Sequence, residues 1–264
     1  MDIDDAQTRS RGIRCWGYAV LTLAVFLIGI QLIPRAVDAV GPGLQGYARA
    51  AAVKTAQSVL AILTVLLVGR AGLRAALTEL GLRASLGRAL VVAFAATLPM
   101  LVGFGVTGTF RTDYSLLVLT VTAVFSPVGE EILFRGFAFG QLYRRARWGF
   151  WPAILIPTLF FSLGHLYQAQ SVLSALGIFG VTALGSVWFA WLYLRWDNLW
   201  VPIALHALMN LWWYVFEVDR TALGGWFANA ARIITIVLSI VITLHRNRIW
   251  KSEGERLTEQ APAS

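Results

Sequence analysis

The sequence is short of charge. Asp, Glu, Lys and Arg make up only 14% of its 264 residues, against about a quarter in ordinary globular chains, which excludes a water-soluble domain with a conventional polar surface. Hydrophobic residues account for 58%, and the class that remains is a polytopic membrane protein. Cysteine is nearly absent. Cys15 stands alone, so no disulfide framework can form and the redox compartment cannot be read. Histidine is scarce as well, with three in the chain. They fall nowhere in a His-Glu-x-x-His pattern, which removes the familiar helical zinc-peptidase motif. No internal repeat or second domain interrupts the chain. It reads as a single integral membrane domain over residues 1–264, with short polar tails at 1–10 and 252–264. The formal charge of +8 does not point to nucleic acid, because the basic residues sit at the ends of apolar runs.

A spanning helix needs about 20 mostly apolar residues. That criterion yields eight stretches: 16–33, 50–68, 89–106, 114–142, 150–166, 172–194, 199–216 and 226–244. The expected fold is therefore all-α, a polytopic membrane bundle of about eight transmembrane helices. Arg9, Arg11 and Arg14 before the first run resemble the opening of a signal peptide, but the run is too long and lacks a small-residue cleavage site. It reads as a retained helix. The second run is the weakest, since Lys54 lies near its beginning, and the fourth is too long for a straight span. Its tail over 136–151, with Gln141, Arg144, Arg145 and Arg147 among aromatics, is expected to bend into the interface. The Trp-rich run from Trp188 to Trp213 is read as interface belt and packing. Arginines crowd alternate loops (Arg70, Arg74, Arg83 and Arg88; Arg144, Arg145 and Arg147; Arg246 and Arg248). By the positive-inside rule both termini are then cytoplasmic.

Against this background one stretch stands out, Ser126-Pro127-Val128-Gly129-Glu130-Glu131-Ile132-Leu133-Phe134-Arg135. An ionisable side chain at bilayer depth points to function and needs a partner there. Glu131 has one, because a Glu four residues before an Arg shares its helix face in the favourable orientation. Glu130 has Leu133 and Phe134 at plus three and plus four, so it is expected to be the unpaired carboxylate. Two further pairs follow at the same spacing, Phe161 with His165 and His206 with Asn210. Counting residues from the basic ends puts Glu130 and His165 at similar depth, with His206 about 10 Å shallower. An isolated pair of this kind is as often interhelical glue as chemistry. Together they are nearly the whole polar inventory of the central runs.

Glu130-Glu131-x-x-x-Arg135, Phe161-x-x-x-His165 and His206-x-x-x-Asn210 resemble the three motifs of the CAAX prenyl protease and bacteriocin-processing (CPBP, or Abi) family, in the family's order, within a motif-bearing core of about 114–216. The resemblance implies an intramembrane endopeptidase with a central catalytic cavity, acting on a membrane-associated protein or leader peptide. In that reading Glu130, with His165, takes the proton of an attacking water, and His206 and Asn210 donate to the tetrahedral oxyanion. Glu131, Arg135 and Phe161 support them. No cofactor is expected. Zinc held by Glu130, His165 and His206 is the alternative. A proton-coupled transporter and a non-catalytic membrane scaffold are the rival readings. Membrane lipid and a peptide or protein substrate are the expected partners, and an Ala- and Arg-rich composition suggests a bacterial inner membrane. With His206 nearest the basic side, the cavity is expected to open there, and cysteines at Ile203 or Ala204 to be reachable from that face.

Overall fold

The computed structural model describes residues 3–70, 72–219 and 221–249. In lipid every backbone polar group must be satisfied within the protein, and the apolar runs answer by becoming helices. In chain order these are α1 (Ile3–Leu27), α2 (Ile33–Val40), α3 (Gly46–Gly69), α4 (Gly72–Glu79), α5 (Leu86–Thr107), α6 (Leu116–Leu119), α7 (Ser126–Glu131), α8 (Gly140–Arg144), α9 (Phe150–Leu163), α10 (Val172–Trp196), α11 (Trp200–Val215), α12 (Trp226–Leu244) and α13 (Arg246–Ile249). Helix begins at Ile3, so the polar segment 1–10 is helical over its described part. The tail 252–264 lies outside the described residues.

Among the described residues seven helical stretches are long and apolar enough to cross a membrane. The eighth expected span, α11, has 16 residues, about 24 Å of helix against roughly 30 Å of hydrocarbon. It nonetheless runs beside α5 from end to end. Asn198 Nδ2 donates to the Ser85 carbonyl at 3.0 Å below it, and Trp212 Nε1 to Thr97 Oγ1 at 3.2 Å further along. At the far end the short strands β1 (Thr109–Phe110) and β2 (Phe216–Glu217) pair antiparallel, Thr109 opposite Glu217 and Phe110 opposite Phe216. Among the described residues the structure therefore shows seven candidate spans where eight were expected, with α11 packed beside α5 but shorter than a full crossing.

Proline decides where the α-helical ladder changes pitch. Ile28–Leu32 and Thr120–Phe125 are π-helical, and Pro34 and Pro127 follow just beyond them. A proline has no N–H to give and its ring crowds the preceding turn, so the wider i→i+5 winding takes up the misfit. In the first case the Ile33 amide bonds the Ile28 carbonyl, which leaves the Gly29 carbonyl facing Pro34 without a donor. Gln57 of α3 supplies it, its Nε2 reaching that carbonyl at 3.0 Å in a buried setting. A third π-helical stretch, Ile132–Phe139, follows the two glutamates.

Residues Glu131 to Leu142 are buried throughout, so the second half of the fourth span is the centre of the bundle and does not turn into the interface as its arginines and aromatics suggested. Leu133, Phe137, Phe139 and Leu142 pack there with Leu80, Tyr193 and Leu199. The arginines that follow are engaged by protein. Arg145 makes two hydrogen bonds to the Glu79 carboxylate, at 2.6 and 2.5 Å, and Gln141 a third at 3.0 Å. Arg144 reaches the Glu79 carbonyl at 2.7 Å and Asp197 at 2.6 Å. The tryptophans also serve packing more than belt duty. Trp188 and Trp196 donate to Ser239 and Thr243 of α12, which fixes α10 and α12 side by side in the same direction.

Candidate catalytic site

Three elements deliver the site. α7 carries Glu130 and Glu131 between two π-helical stretches, and π-type winding is a frequent companion of functional positions. α9 ends at Leu163 with Gly164 as its cap, so His165 lies one residue past that cap, at the start of the short turn Leu166–Gln168 and still within the apolar stretch Phe150–Gln168. α11 brings His206 at the point where its buried first half, Val201 to Leu205, gives way to half-buried residues.

Glu131 and Arg135 form the expected ion pair, with Nη1 to Oε1 at 2.9 Å and both side chains fully buried. The guanidinium lies over the ring of Phe161 at 4.3 Å and that of Phe189 at 5.4 Å, so the positive charge is held between two aromatic faces. Glu131 Oε1 also receives His206 Nδ1 at 2.9 Å. An ionised carboxylate only accepts, and Nδ1 must carry the hydrogen. The other ring nitrogen, Nε2, faces Glu130 Oε2 at 4.0 Å. His206 therefore bridges the two adjacent glutamates, and Phe189 stacks on its ring with centroids 5.4 Å apart.

His165 is oriented by the helix end. Its Nδ1 contacts the Phe161 carbonyl at 2.7 Å, one of the acceptors left over where α9 stops. A carbonyl cannot donate, so this nitrogen too holds the hydrogen and a neutral His165 presents a bare Nε2. The Phe161 ring lies 4.5 Å from the His165 ring and 6.5 Å from that of His206, a spacer between the two imidazoles. Asn210 follows His206 by one turn on the same face and is half-buried. His206 nonetheless reaches the level of the glutamates, and part of the expected depth difference is taken up because eight residues below Glu131 are π-helical. That winding places more residues in each turn and shortens the climb from Arg144 to the glutamates.

Two expectations need correction. Glu130 is not unpaired, because Lys54 Nζ of α3 lies 3.0 Å from its Oε1. Sequence reasoning treated Lys54 as a blemish in a span, although a lysine at that depth is itself a functional signal. Its partner lies 76 positions away, where no local spacing rule reaches. The second concerns access. Ile203 and Ala204 are buried, each 4% exposed, and the layer between the glutamates and the basic end is filled by the packed core. Burial falls off in the opposite direction, where His165, Asn210 and Tyr214 are half-buried and Tyr167 is exposed. Tyr114 and Tyr214 meet edge to face there at 5.7 Å.

The alternative zinc set can be tested against this geometry. Among the described residues no three His, Cys, Asp or Glu side chains stand close enough together to hold a metal, and the Glu130 oxygen turned toward α3 already faces an ammonium. Glu130, His165 and His206 as placed do not fit a zinc ion.

Residues 112–212 match the profile of the type II CAAX prenyl endopeptidase Rce1-like family, the segment that holds all three motifs. The chain is 33% identical over 103 residues to a Bacillus subtilis (strain 168) protein named "Putative membrane peptidase YdiL". That match covers 39% of this chain and 38% of the relative, so the chain spans well under half of the relative's length. No solved structure matches the chain. Glu130, Glu131, His165, His206 and Asn210 thus lie within the segment that is similar to the type II CAAX prenyl endopeptidase Rce1-like family, and Lys54 lies outside it.

Proposed function

We propose that the protein is an intramembrane endopeptidase in which Glu130 activates water. The observation that carries this reading is the gap of 4.0 Å between Glu130 Oε2 and His206 Nε2. It is too wide for a direct hydrogen bond and suited to a water bonded to both. Glu130 then takes the proton as the water attacks a peptide carbonyl. Because Nδ1 of His206 is committed to Glu131, this ring can donate to the tetrahedral oxyanion only from Nε2, as an imidazolium flanked by the two carboxylates. The Asn210 amide is the second donor. His165, with Nε2 bare, is a second acceptor for the proton on its way to the leaving amine. Arg135 fixes Glu131, and Phe161 keeps the imidazoles apart.

The substrate class in this reading is an extended segment of a membrane-associated protein or leader peptide, and no step is routed through a metal. Comparing the peptides of bacterial membranes that contain the parent protein or Glu130→Gln tests it. Peptides released only by the parent are expected, at a rate insensitive to chelator. Identical peptide profiles with equal amounts of folded protein would leave the transporter or scaffold reading in its place.

A further inference from the structure

Glu130 has two oxygens with different neighbours. Oε2 faces His206, whereas Oε1 is held by Lys54 at 3.0 Å. Both side chains are largely shielded, Lys54 at 21% and Glu130 at 16% exposure. A lone carboxylate in such surroundings is costly, and a close opposite charge compensates it. The approach of α3 is built for this contact. A Cβ placed on Gly129 would stand 2.7 Å from Lys54 Cβ and within 3.3 Å of Cγ and Cδ. The missing side chain beside the base is what lets the lysine stem lie along α7. Gln57, one turn further along α3, is tied to the Gly29 carbonyl, which fixes the helix that carries Lys54.

We propose that Lys54 is a positioning residue for the reaction: it anchors Oε1 of Glu130, so that Oε2 alone is presented to the water beside His206. This rests on the endopeptidase reading above. It adds to that reading a residue contributed by a helix outside the matched segment. The alternative is that Lys54 only balances a buried charge and has no influence on the reacting atoms.

Lys54→Met, Lys54→Arg, Gly129→Ala and Glu130→Gln, purified in the same detergent, separate the two. Cleavage of a peptide released by the parent is measured as kcat and KM, with monodispersity on size exclusion as the folding check. Lys54→Met is expected to lose about 10²-fold in kcat, the scale of a misplaced catalytic group, with KM unchanged. Lys54→Arg should recover most of that loss. Gly129→Ala, which displaces the lysine stem without removing a charge, should fall between them and covers the case in which Lys54→Met fails to fold. A second readout needs no turnover. Dicyclohexylcarbodiimide attacks carboxyl groups that carry a proton, so mass spectrometry should find Glu130 modified faster in Lys54→Met than in the parent. Parent-like kcat in Lys54→Met or Gly129→Ala, a change confined to KM, failure of Lys54→Arg to rescue, or equal carbodiimide labelling would each overturn the proposal. Glu130→Gln with full activity would instead sink the endopeptidase reading itself.

Discussion

Arg135 illustrates how much a single buried side chain can carry. Its guanidinium neutralises Glu131, and through Glu131 it orients His206. Arg135→Ala leaves a carboxylate without its counter-ion in a fully buried place. Breaking such a pair costs about 3–5 kcal/mol, to be read as a lower unfolding midpoint in detergent. Arg135→Lys keeps the charge but loses the planar stacking on Phe161 and Phe189, and is expected to fall between the parent and Arg135→Ala. Glu79 behaves differently because it lies outside the spans. Burial alone would raise its carboxyl, but hydrogen bonds from Arg145 and Gln141, with the charges of Arg145 and Arg144, outweigh that and hold it below the usual carboxylate range. A depressed folded value means that the stabilisation is present above the unfolded value and disappears as pH falls through the folded one. Stability in detergent should therefore hold at neutral pH and decline once pH drops below about 4. Glu79→Gln should be less stable at neutral pH and show a flatter decline. If the two curves are parallel, Glu79 is not the group responsible.

At the scale of elements, the sequence was readable wherever a polar residue interrupted an apolar run. Glu131 with Arg135 followed from helix spacing alone, and the motif pairs identified the three helices that meet. Lys54 did not follow, because its partner is distant in sequence and known only once α3 and α7 pack. His165 was placed in the right apolar stretch, but nothing in that run announces that α9 stops at Leu163 and leaves His165 just beyond its cap. The π-helical stretches escaped notice for a related reason. A proline in a run shows that a donor is missing, but not which carbonyl is freed or what satisfies it. Gln57 answers for Gly29, and the pairing can be tested. Gln57→Leu strands a buried carbonyl and is expected to cost about 1–3 kcal/mol. In a Pro34→Ala background, where position 34 regains an N–H to donate, that cost should shrink. An unchanged cost in the double variant would mean that Gln57 acts through packing alone.

For the whole molecule, the all-helical membrane character followed from hydropathy, whereas the burial of Ile203 and Ala204 did not. Counting rise per residue put His206 nearest the basic end, but burial places a closed floor there and thins toward the tyrosines at the opposite end. Single cysteines in a chain without Cys15 can check this. Gln170→Cys, in the exposed turn before α10, and Arg195→Cys, at its basic end, should react with a polar thiol reagent from opposite sides of the membrane. Tyr214→Cys is expected to follow Gln170→Cys. Labelling of Tyr214→Cys from the side that labels Arg195→Cys would return the opening to the basic face.

The Lys54–Glu130 contact joins two portions of the chain that meet covalently at the exposed turn around Arg70, between α3 and α4. One portion supplies the ammonium and the other supplies every motif residue. If the two were produced as separate polypeptides, cut at that turn and co-expressed, recovery of proteolysis would report their reassembly in the bilayer. A second portion expressed by itself would insert with its carboxylate uncompensated. The seam between α3 and α7 would in this way turn an assay of the proposed cleavage into a gauge of membrane-helix docking.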